Sequence, residues 1–315
     1  MSLSKLHRPA IRSLSSVLAI LLFTSFAFAT YPGKNGRIVF IEAKSGNFQL
    51  YTMNADGSDV VQITQLPPSQ NPFWTPAYSP DGQQIVFSND ATGSMELYVV
   101  NADGTGLRQL TSDAGDNIFG RWSRDGSSIK YSRLFIVTGQ GAFHHLATIN
   151  ADGSDPQFLT HALFEDLLPV FFPDGRKMAF YSTRENLRSA LWVANTNGSM
   201  ATRITEPPLA AAFPDVSPDG RTLVFHDHEN TEYVPNIWVA NVDGSGLKRL
   251  TNSAVLVAGE AAFSPDGRKI VFVGNPVFPN PPNIYSMNPD GTGIKLIHEC
   301  PEGCFTPNWG ARQQE

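Results

Sequence analysis

The run His226-Asp227-His228-Glu229 is the most suggestive group of metal-ligand residue types in the chain. Two imidazoles accompanied by carboxylates form a donor set that a divalent metal accepts. If the run ends a strand, His226 and His228 point to the same side, because side chains alternate between the two faces of a sheet. A divalent metal held by these two residues is one hypothesis. The other, which we favour, is that they are polar residues on the rim of a loop.

Four more charged residues are candidates for contacts with a ligand or partner: Arg121, Asp215, Arg184 and Glu185. Arg121 and Asp215 occupy the same place in a repeated pattern described below, on segments expected to line a channel. They either contact a ligand or solvate a water-filled tunnel, and we favour the second interpretation. Arg184 and Glu185 follow a predicted strand, and their role depends on neighbours in space. The sequence shows neither a charge-relay set nor a dense metal-ligand motif, so we assign no catalytic residue and no cofactor.

The two cysteines, Cys300 and Cys304, lie in the segment CPEGC. In an oxidising compartment they can form a local disulfide, which would contribute only about 2 kcal/mol because the loop is short. Two free thiols are the alternative. We disfavour a metal site, because a Cys-x3-Cys pair alone lacks two of the four ligands that a structural zinc needs.

A phrase repeated six times indicates the elements that position these residues. Each copy is an apolar run, then Asn-x-Asp-Gly-Ser or a variant, then a segment ending in Leu-Thr or Ile-Thr; the sixth ends in Leu296-Ile297-His298 and has lost the Thr. The central glycines recur every 45 to 49 residues and are Gly57, Gly104, Gly153, Gly198, Gly244 and Gly291. A period of this length, rich in short strands, is typical of a β-propeller with one repeat per blade.

A second phrase, SPDG or a variant, alternates with the first and precedes runs such as QQIVFS and RTLVFH. Apolar residues at every second position indicate a strand with one face against a core. Asp-Gly pairs suit tight hairpins, because glycine adopts positive φ without a Cβ clash. We therefore predict an all-β fold, a six-bladed β-propeller of four-stranded blades. We label the strands of each blade A to D, from the channel outward.

The first repeat begins at strand B, and 306–310 matches the strand A pattern. We expect this last strand to complete the first blade and close the ring, which covers strand edges that would otherwise be exposed.

The first 29 residues have the parts of a secretory signal peptide. A basic region precedes twelve apolar residues, 17–28, and the small-x-small motif Ala27-Phe28-Ala29. The apolar run is short for a membrane anchor, so we expect cleavage, with residues 1–29 as signal peptide and 30–315 as the propeller domain. The protein is then exported, periplasmic or extracellular, and not an integral membrane protein once processed.

Charge narrows the class of partner. The chain carries a net charge of −6, and removing the three basic residues of the signal peptide leaves −9. This balance disfavours nucleic acid and anionic membrane surfaces as partners. We expect a monomer with a protein or peptide partner.

The combined pattern, SPDG before one strand and NADGS after the next, resembles the WD-like repeats of TolB-type propellers over residues 33–310. Such repeats also occur in prolyl-oligopeptidase-type peptidases. The resemblance implies a TolB-like propeller. TolB carries an α/β domain before its propeller, for which there is no room after Ala29, so we expect a stand-alone propeller; this departure weakens any implied link to the Tol–Pal system. The chain has no G-x-S-x-G elbow, so the peptidase chemistry is not expected.

Two functions remain open from sequence. The first is a protein- or peptide-binding scaffold in the cell envelope. The alternative is a metal-dependent hydrolase or lyase acting on a lactone or saccharide at the channel mouth. We favour the scaffold. The connections opposite the hairpin turns vary most between repeats, so we expect them to form the binding face, with Phe135, Phe143, Tyr233 and Phe278 as aromatic anchors.

Overall fold

The fold is a closed ring of antiparallel sheets. The computed structural model describes residues 31–68, 75–113, 115–139, 141–161, 163–185, 189–227, 235–276 and 280–312. Within these ranges, 24 strands form six sheets of four strands each. The six-bladed β-propeller predicted from the repeats is thus confirmed. Among the same residues, no helix has the length and apolar character that crossing a membrane requires.

Each blade runs from an inner strand A at the channel to an outer strand D. Blade 1 comprises β24 (Cys304–Ala311), β1 (Asn35–Lys44), β2 (Asn47–Met53) and β3 (Val61–Gln62). Blade 2 comprises β4 (Ala77–Tyr78), β5 (Gln84–Asn89), β6 (Glu96–Asn101) and β7 (Arg108–Gln109). Blade 3 comprises β8 (Asn117–Trp122), β9 (Ser128–Val137), β10 (Gly141–Asn150) and β11 (Gln157–Phe158).

The second half of the ring follows the same order. Blade 4 comprises β12 (Asp166–Phe171), β13 (Lys177–Ser182), β14 (Ala190–Asn195) and β15 (Thr202–Arg203). Blade 5 comprises β16 (Ala211–Val216), β17 (Thr222–Asp227), β18 (Ile237–Asn241) and β19 (Lys248–Arg249). Blade 6 comprises β20 (Val257–Phe263), β21 (Ile270–Asn275), β22 (Asn283–Met287) and β23 (Lys295–His298).

The core lies between the blades. Six apolar clusters of buried residues each join two neighbouring blades. Because every blade is covered on both sides, both faces of its second strand are buried. In β1 the four consecutive residues Ile38, Val39, Phe40 and Ile41 are all fully buried. The sequence pattern predicted one buried face per strand, but both faces are buried. The pattern of a single strand does not show that the next blade covers its second face.

The ring closes between the two ends of the described chain. β24 pairs antiparallel with β1, and Trp309 lies opposite Ile38. Trp309 is buried among residues of blades 1 and 6. The predicted closure, with the last strand completing the first blade, is confirmed. Cys300 and Cys304 form a disulfide immediately before this closing strand.

One predicted loop is a hairpin. The segment from Leu134 to His145 is one of the variable connections opposite the hairpin turns; β9 and β10 continue through it and pair as far as Val137 and Gly141. Its aromatic and β-branched residues favour strand, so the hairpin extends instead of opening. Phe135 and Ile136 are exposed near its end.

Candidate functional site: the mouth of the channel

The six inner strands surround a central channel with two different ends. We call the end near the A–B and C–D turns the hairpin face, and the opposite end the loop face. Arg121 and Asp215 line the channel as predicted, and the residues at the same place in the other repeats do so too: Ala77, Val170, Ala262 and Asn308. A pocket of about 470 Å³, counting space open to solvent, faces the loop face, and one of about 460 Å³ faces the hairpin face.

Around the loop-face pocket, each inner segment bends in the same way. One non-glycine residue per blade has positive φ, between 41° and 62°, two residues before the channel-lining residue. We call this set the mouth ring: Thr75, Phe119, Leu168, Phe213, Glu260 and Thr306. Pairing between the first two strands is irregular at this point in five blades, as in a β-bulge. Left-handed backbone costs about 1–2 kcal/mol per L-residue, so six instances mark a feature that packing maintains.

The mouth ring has a polar half and an apolar half. Glu260, Thr306 and Thr75 come from the adjacent blades 6, 1 and 2, whereas the other three residues come from blades 3, 4 and 5. Phe119 of blade 3 and Phe213 of blade 5, the blades on either side of Leu168, contact each other edge to face with ring centroids 6.0 Å apart. The mouth ring is therefore chemically asymmetric, although the six repeats that form it have the same backbone pattern.

The polar half contains two hydroxyl groups that make no hydrogen bond among the described residues and a carboxyl that makes one. Within the described part of the chain, the buried hydroxyl oxygens of Thr75 and Thr306 have no hydrogen-bond partner. The Glu260 Oε2 accepts a hydrogen bond from the Thr306 backbone N–H at 2.7 Å. Burial raises the pKa of the Glu260 carboxyl to about 7. Glu260 therefore changes between donor and acceptor near neutral pH.

Deeper in the channel, Arg121 and Asp215 are each held by an adjacent blade. An Arg121 guanidinium nitrogen donates to the carbonyl oxygens of Thr75 at 3.1 Å and Gly120 at 2.9 Å. The Asp215 Oδ2 accepts from the Phe263 backbone N–H at 2.8 Å. Burial lowers the pKa of the Arg121 guanidinium, and the Asp215 carboxylate opposes that shift. The two charges thus act on each other across the channel, where water is limited.

Tyr31 occupies the hairpin-face end of the channel. Its hydroxyl donates to the Trp122 carbonyl oxygen at 2.7 Å, and its ring packs beside the apolar cluster between blades 2 and 3. Burial raises the pKa of this phenol above its usual range. The two ends of the channel therefore differ, and the loop face is the end with the bent, non-glycine mouth ring.

Of the two histidines predicted as possible metal ligands, only His226 lies in the described residues, where it makes contacts within the fold. His226 is 4 % exposed; its Nδ1 accepts the Glu260 backbone N–H at 3.0 Å, and its ring stacks on Phe213 with centroids 4.8 Å apart. His226 therefore positions two members of the mouth ring, Glu260 and Phe213, and its Nδ1 is occupied by a hydrogen bond. His228 lies outside the described residues, so a metal shared by the two histidines stays a prediction.

Arg184 and Glu185 form ion pairs within blade 4. The Arg184 Nη2 lies 3.0 and 3.2 Å from the two carboxylate oxygens of the buried Asp166, and its guanidinium lies over the Trp192 ring at 4.8 Å. Glu185 pairs with Arg203 at 2.7 Å. These contacts stabilise blade 4, so a binding role for either residue would have to break an ion pair. Tyr233 and Phe278 lie outside the described residues.

Sequence reasoning found the channel-lining residues but missed the mouth ring. Phe, Leu, Thr and Glu are not residue types that indicate left-handed backbone. The one available signal was position, because each member lies two residues before a channel-lining residue that the repeat identifies.

Comparison with known proteins agrees with this fold. The family model for the TolB β-propeller domain matches residues 132–315. A TolB homologue of Chlorobium chlorochromatii is 33 % identical over 148 residues, covering 47 % of this chain and 31 % of that protein. The Tol-Pal system protein TolB of Anaeromyxobacter dehalogenans is 30 % identical over 151 residues, covering 47 % of this chain and 33 % of that protein. The matches thus span about a third of each relative.

Among solved structures, TolB from Acinetobacter baumannii superposes with a TM-score of 0.73. The superposition covers 88 % of this chain and 67 % of that one, at 19 % identity. At this identity the likeness concerns the fold.

Proposed function

This chain belongs to the TolB β-propeller family, and we propose that it is an exported scaffold of the cell envelope that binds a protein or peptide segment at the mouth ring. The observation that carries the proposal is the division of this ring into a polar and an apolar half. Propellers use rigid sheets to present variable residues at one end of the channel. Here the bent backbone of the inner strands fixes those residues without a long loop.

A peptide segment has the chemistry that both halves require. The carboxyl of Glu260 can bond to a backbone amide of such a segment. A polar group that enters the pocket can provide the hydrogen bonds that the buried hydroxyls of Thr75 and Thr306 lack within the described residues. Phe119 and Phe213 can receive an apolar side chain, as aromatic residues do at interface centres. Arg121 and Asp215 lie below the mouth ring and can contact a side chain that enters the channel.

The compartment and the class of partner are proposed from the relatives and from the N-terminal segment. The relatives include a protein named for the Tol-Pal system, and the first 29 residues read as a signal peptide. We therefore propose the periplasm as the compartment and an envelope protein as the partner. The relatives are longer than the matched region, so their assemblies are a guide to the class of partner and not to its identity.

The test places a photo-crosslinking phenylalanine analogue at one of two positions. Phe119 reports on the mouth ring, and Leu247, which is 49 % exposed on the hairpin face, is the matched control. We expect envelope extract to yield a specific cross-linked protein from position 119 and none from position 247. The cross-linked segment, made as a peptide, should bind the protein and should bind Glu260→Gln or Phe213→Ala at least tenfold more weakly, the loss usual for a central contact.

Equal cross-linking at both positions, or peptide binding unchanged in both variants, contradicts the proposal. The alternative, a metal-dependent hydrolase or lyase acting on a lactone or saccharide, makes a different prediction. It requires purified protein to hold a divalent ion that is lost with the only mouth-ring carboxylate, in Glu260→Gln.

A further inference from the structure

A second group of metal-ligand residue types lies where the ring closes. It consists of Glu42 in β1, His298 at the end of β23, Cys300 and Cys304. One ligand atom from each residue lies within 4.8 Å of all the others. Two of the residues, Glu42 and Cys304, belong to blade 1, and His298 belongs to blade 6. The group thus spans the junction between the two ends of the propeller.

Two of these residues, Glu42 and His298, each have a buried polar atom that makes no hydrogen bond in the described part of the chain. The side chain of Glu42 is 2 % exposed, and within the described residues neither its Oε2 nor the Nε2 of His298 has a hydrogen-bond partner. The two atoms are 3.5 Å apart, and the Nζ of Lys44 lies 3.2 Å from the same oxygen. The carboxylate thus has ionic contacts with Lys44 and His298, but neither contact is a hydrogen bond. Buried polar atoms usually make hydrogen bonds, so both atoms retain the capacity to bind a ligand.

The sixth repeat departs from the others at this point. In the other five blades, the Thr that ends the repeat accepts a hydrogen bond from a backbone N–H of the third strand, as Thr64 does from Leu50 at 3.0 Å and Thr251 from Ile237 at 2.8 Å. His298 stands in the position of that Thr, seven residues after the central glycine. A structural hydroxyl has therefore been replaced by a metal-ligand residue type, beside two cysteines.

The four residues match a zinc site in number and type. Zinc takes four ligands from thiolates, imidazoles and carboxylates in tetrahedral geometry, and with bonds of about 2.0–2.3 Å its ligand atoms lie roughly 3.3–3.8 Å apart. The four ligand atoms all lie within 4.8 Å of one another, and reduction of the disulfide would let the two bonded sulfurs move apart to the separation that zinc requires. A Cys-x3-Cys pair alone lacks two ligands, and the fold supplies them as Glu42 and His298.

We propose that, in the reduced protein, Glu42, His298, Cys300 and Cys304 bind one Zn²⁺ ion that joins blades 6 and 1. The disulfide and the metal are alternatives, because the disulfide uses both sulfurs. A dithiol reductant transfers two electrons and two protons to the Cys300–Cys304 bond and becomes a disulfide itself, leaving two thiols. Zinc then binds the two thiolates, and the two thiol protons are released.

The junction between blades 6 and 1 is thus stabilised in either redox state of the cysteines: by the disulfide when they are oxidised and by the metal when they are reduced. This site is separate from the mouth ring and does not depend on the function proposed for it.

The experiment uses the mature chain folded in the presence of a thiol-free reductant, with two free thiols confirmed by thiol titration. Co²⁺ is the probe, because its visible bands report tetrahedral geometry and its ultraviolet charge-transfer band reports thiolate ligands. We expect the reduced protein to bind one Co²⁺ with both signals, to exchange it for one Zn²⁺, and to melt at a higher temperature with Zn²⁺ than without. The oxidised protein should show none of these effects.

Four variants test the ligand set. His298→Ala and Glu42→Gln should each weaken Co²⁺ binding at least about tenfold, the loss usual even for residues that only support a ligand. The matched controls are His144→Ala and Glu165→Gln, which alter a second His–Glu pair, 3.0 Å apart, between blades 3 and 4. They should leave Co²⁺ binding unchanged.

Three results would overturn the proposal. The first is that the reduced, folded protein binds neither Co²⁺ nor Zn²⁺. The second is that bound Co²⁺ shows no thiolate charge-transfer band. The third is that His298→Ala and Glu42→Gln bind Co²⁺ as tightly as the controls do, which would mean that the thiols alone bind the ion. If the reduced chain does not fold without metal, refolding with Zn²⁺ provides the test. A failure of Zn²⁺ to restore the native circular dichroism would equally reject the site.

Discussion

At the scale of single residues, Glu260 links stability to pH. Its folded pKa, about 7, is raised above the usual value of 4.5 for a glutamate, so the folded protein holds this proton more tightly than the unfolded chain. The stabilisation from the protonated form is complete below pH 4.5 and is lost as the pH rises through 7. Glu260→Gln removes this titration, and its amide oxygen can still accept the Thr306 N–H.

We therefore expect Glu260→Gln to equal the wild type in stability near pH 4 and to exceed it at pH 8, by at most about 3 kcal/mol from a shift of this size. Urea unfolding at the two pH values measures the difference. Glu302→Gln is a control of opposite sign, because the Ser45 and Gly46 backbone N–H groups lower the pKa of Glu302. It should be the less stable variant at neutral pH and lose that difference as the pH falls. A Glu260→Gln effect independent of pH would exclude the shifted pKa as its cause.

A second prediction at this scale concerns Met200. It has φ of 56° and is 81 % exposed, and it follows the central glycine by two positions. Gly106, Gly246 and Gly293 occupy the same place in other repeats, also with positive φ. Met200→Gly should stabilise the protein by about 0.5–1 kcal/mol, because glycine removes left-handed strain at some cost in chain entropy.

The thermal melting temperature measures this gain. Asp59 is the matched control, since it has φ of 53° at the equivalent position but pairs with Arg37 at 2.7 Å. Asp59→Gly should bring a smaller gain or none. A loss of stability in Met200→Gly would show that this turn is not strained.

At the scale of elements, the C–D hairpins do more than reverse the chain. The central glycines all have positive φ, between 83° and 91°, as the sequence predicted. Each also approaches the preceding blade: a Cβ on Gly57 would lie 1.8 Å from the carbonyl oxygen of Ile297. The repeat thus specifies contact between blades as well as the turn.

Gly57→Val should therefore destabilise by about 3 kcal/mol or more, from backbone strain together with overpacking. Gly93 separates the two causes, because it has φ of 99° and would have no atom within 4 Å of an added Cβ. Gly93→Val should lose only about 1–2 kcal/mol, and Ser58→Ala less than Gly57→Val. Urea midpoints compare the three variants, and equal losses at Gly57 and Gly93 would contradict a role in blade contact.

At the scale of the whole molecule, stability depends on closure of the ring. β24 supplies the inner strand of blade 1 and packs Trp309 against blade 6. Deleting residues 304–315 leaves β1 and the neighbouring blades with an uncovered edge and face. We expect a melting temperature lower by more than 10 °C, on the scale of several kcal/mol in a chain of this size.

The deletion also removes Cys304, so the control is full-length Cys300→Ser, which loses the disulfide but keeps β24. That variant should lose only about 2 kcal/mol, the contribution of a short disulfide loop. If the truncated chain melted at the same temperature as Cys300→Ser, β24 would not be what closes the ring.

The amino-acid sequence determined the architecture because the information is local and repeated. Glycines at fixed steps specify turns, alternating apolar residues specify strands, and the pattern at Thr306–Trp309 supplies the strand A that the first repeat lacks. The channel-lining position of Arg121 and Asp215 followed from their place in the repeat. These inferences need no knowledge of which blades face each other.

The site depended on contacts across the ring, which local pattern does not encode. His226 reads as a metal ligand in its tetrapeptide but positions Glu260 and Phe213 in the fold. Arg184 is in sequence only a candidate contact residue after a predicted strand, and in the fold it pairs with the buried Asp166. Glu42 and His298 lie 256 residues apart in the chain, yet ring closure brings their side chains within 3.5 Å. Only the tertiary structure could bring these groups together, since pairing, burial and shifted pKa values depend on neighbours from other blades.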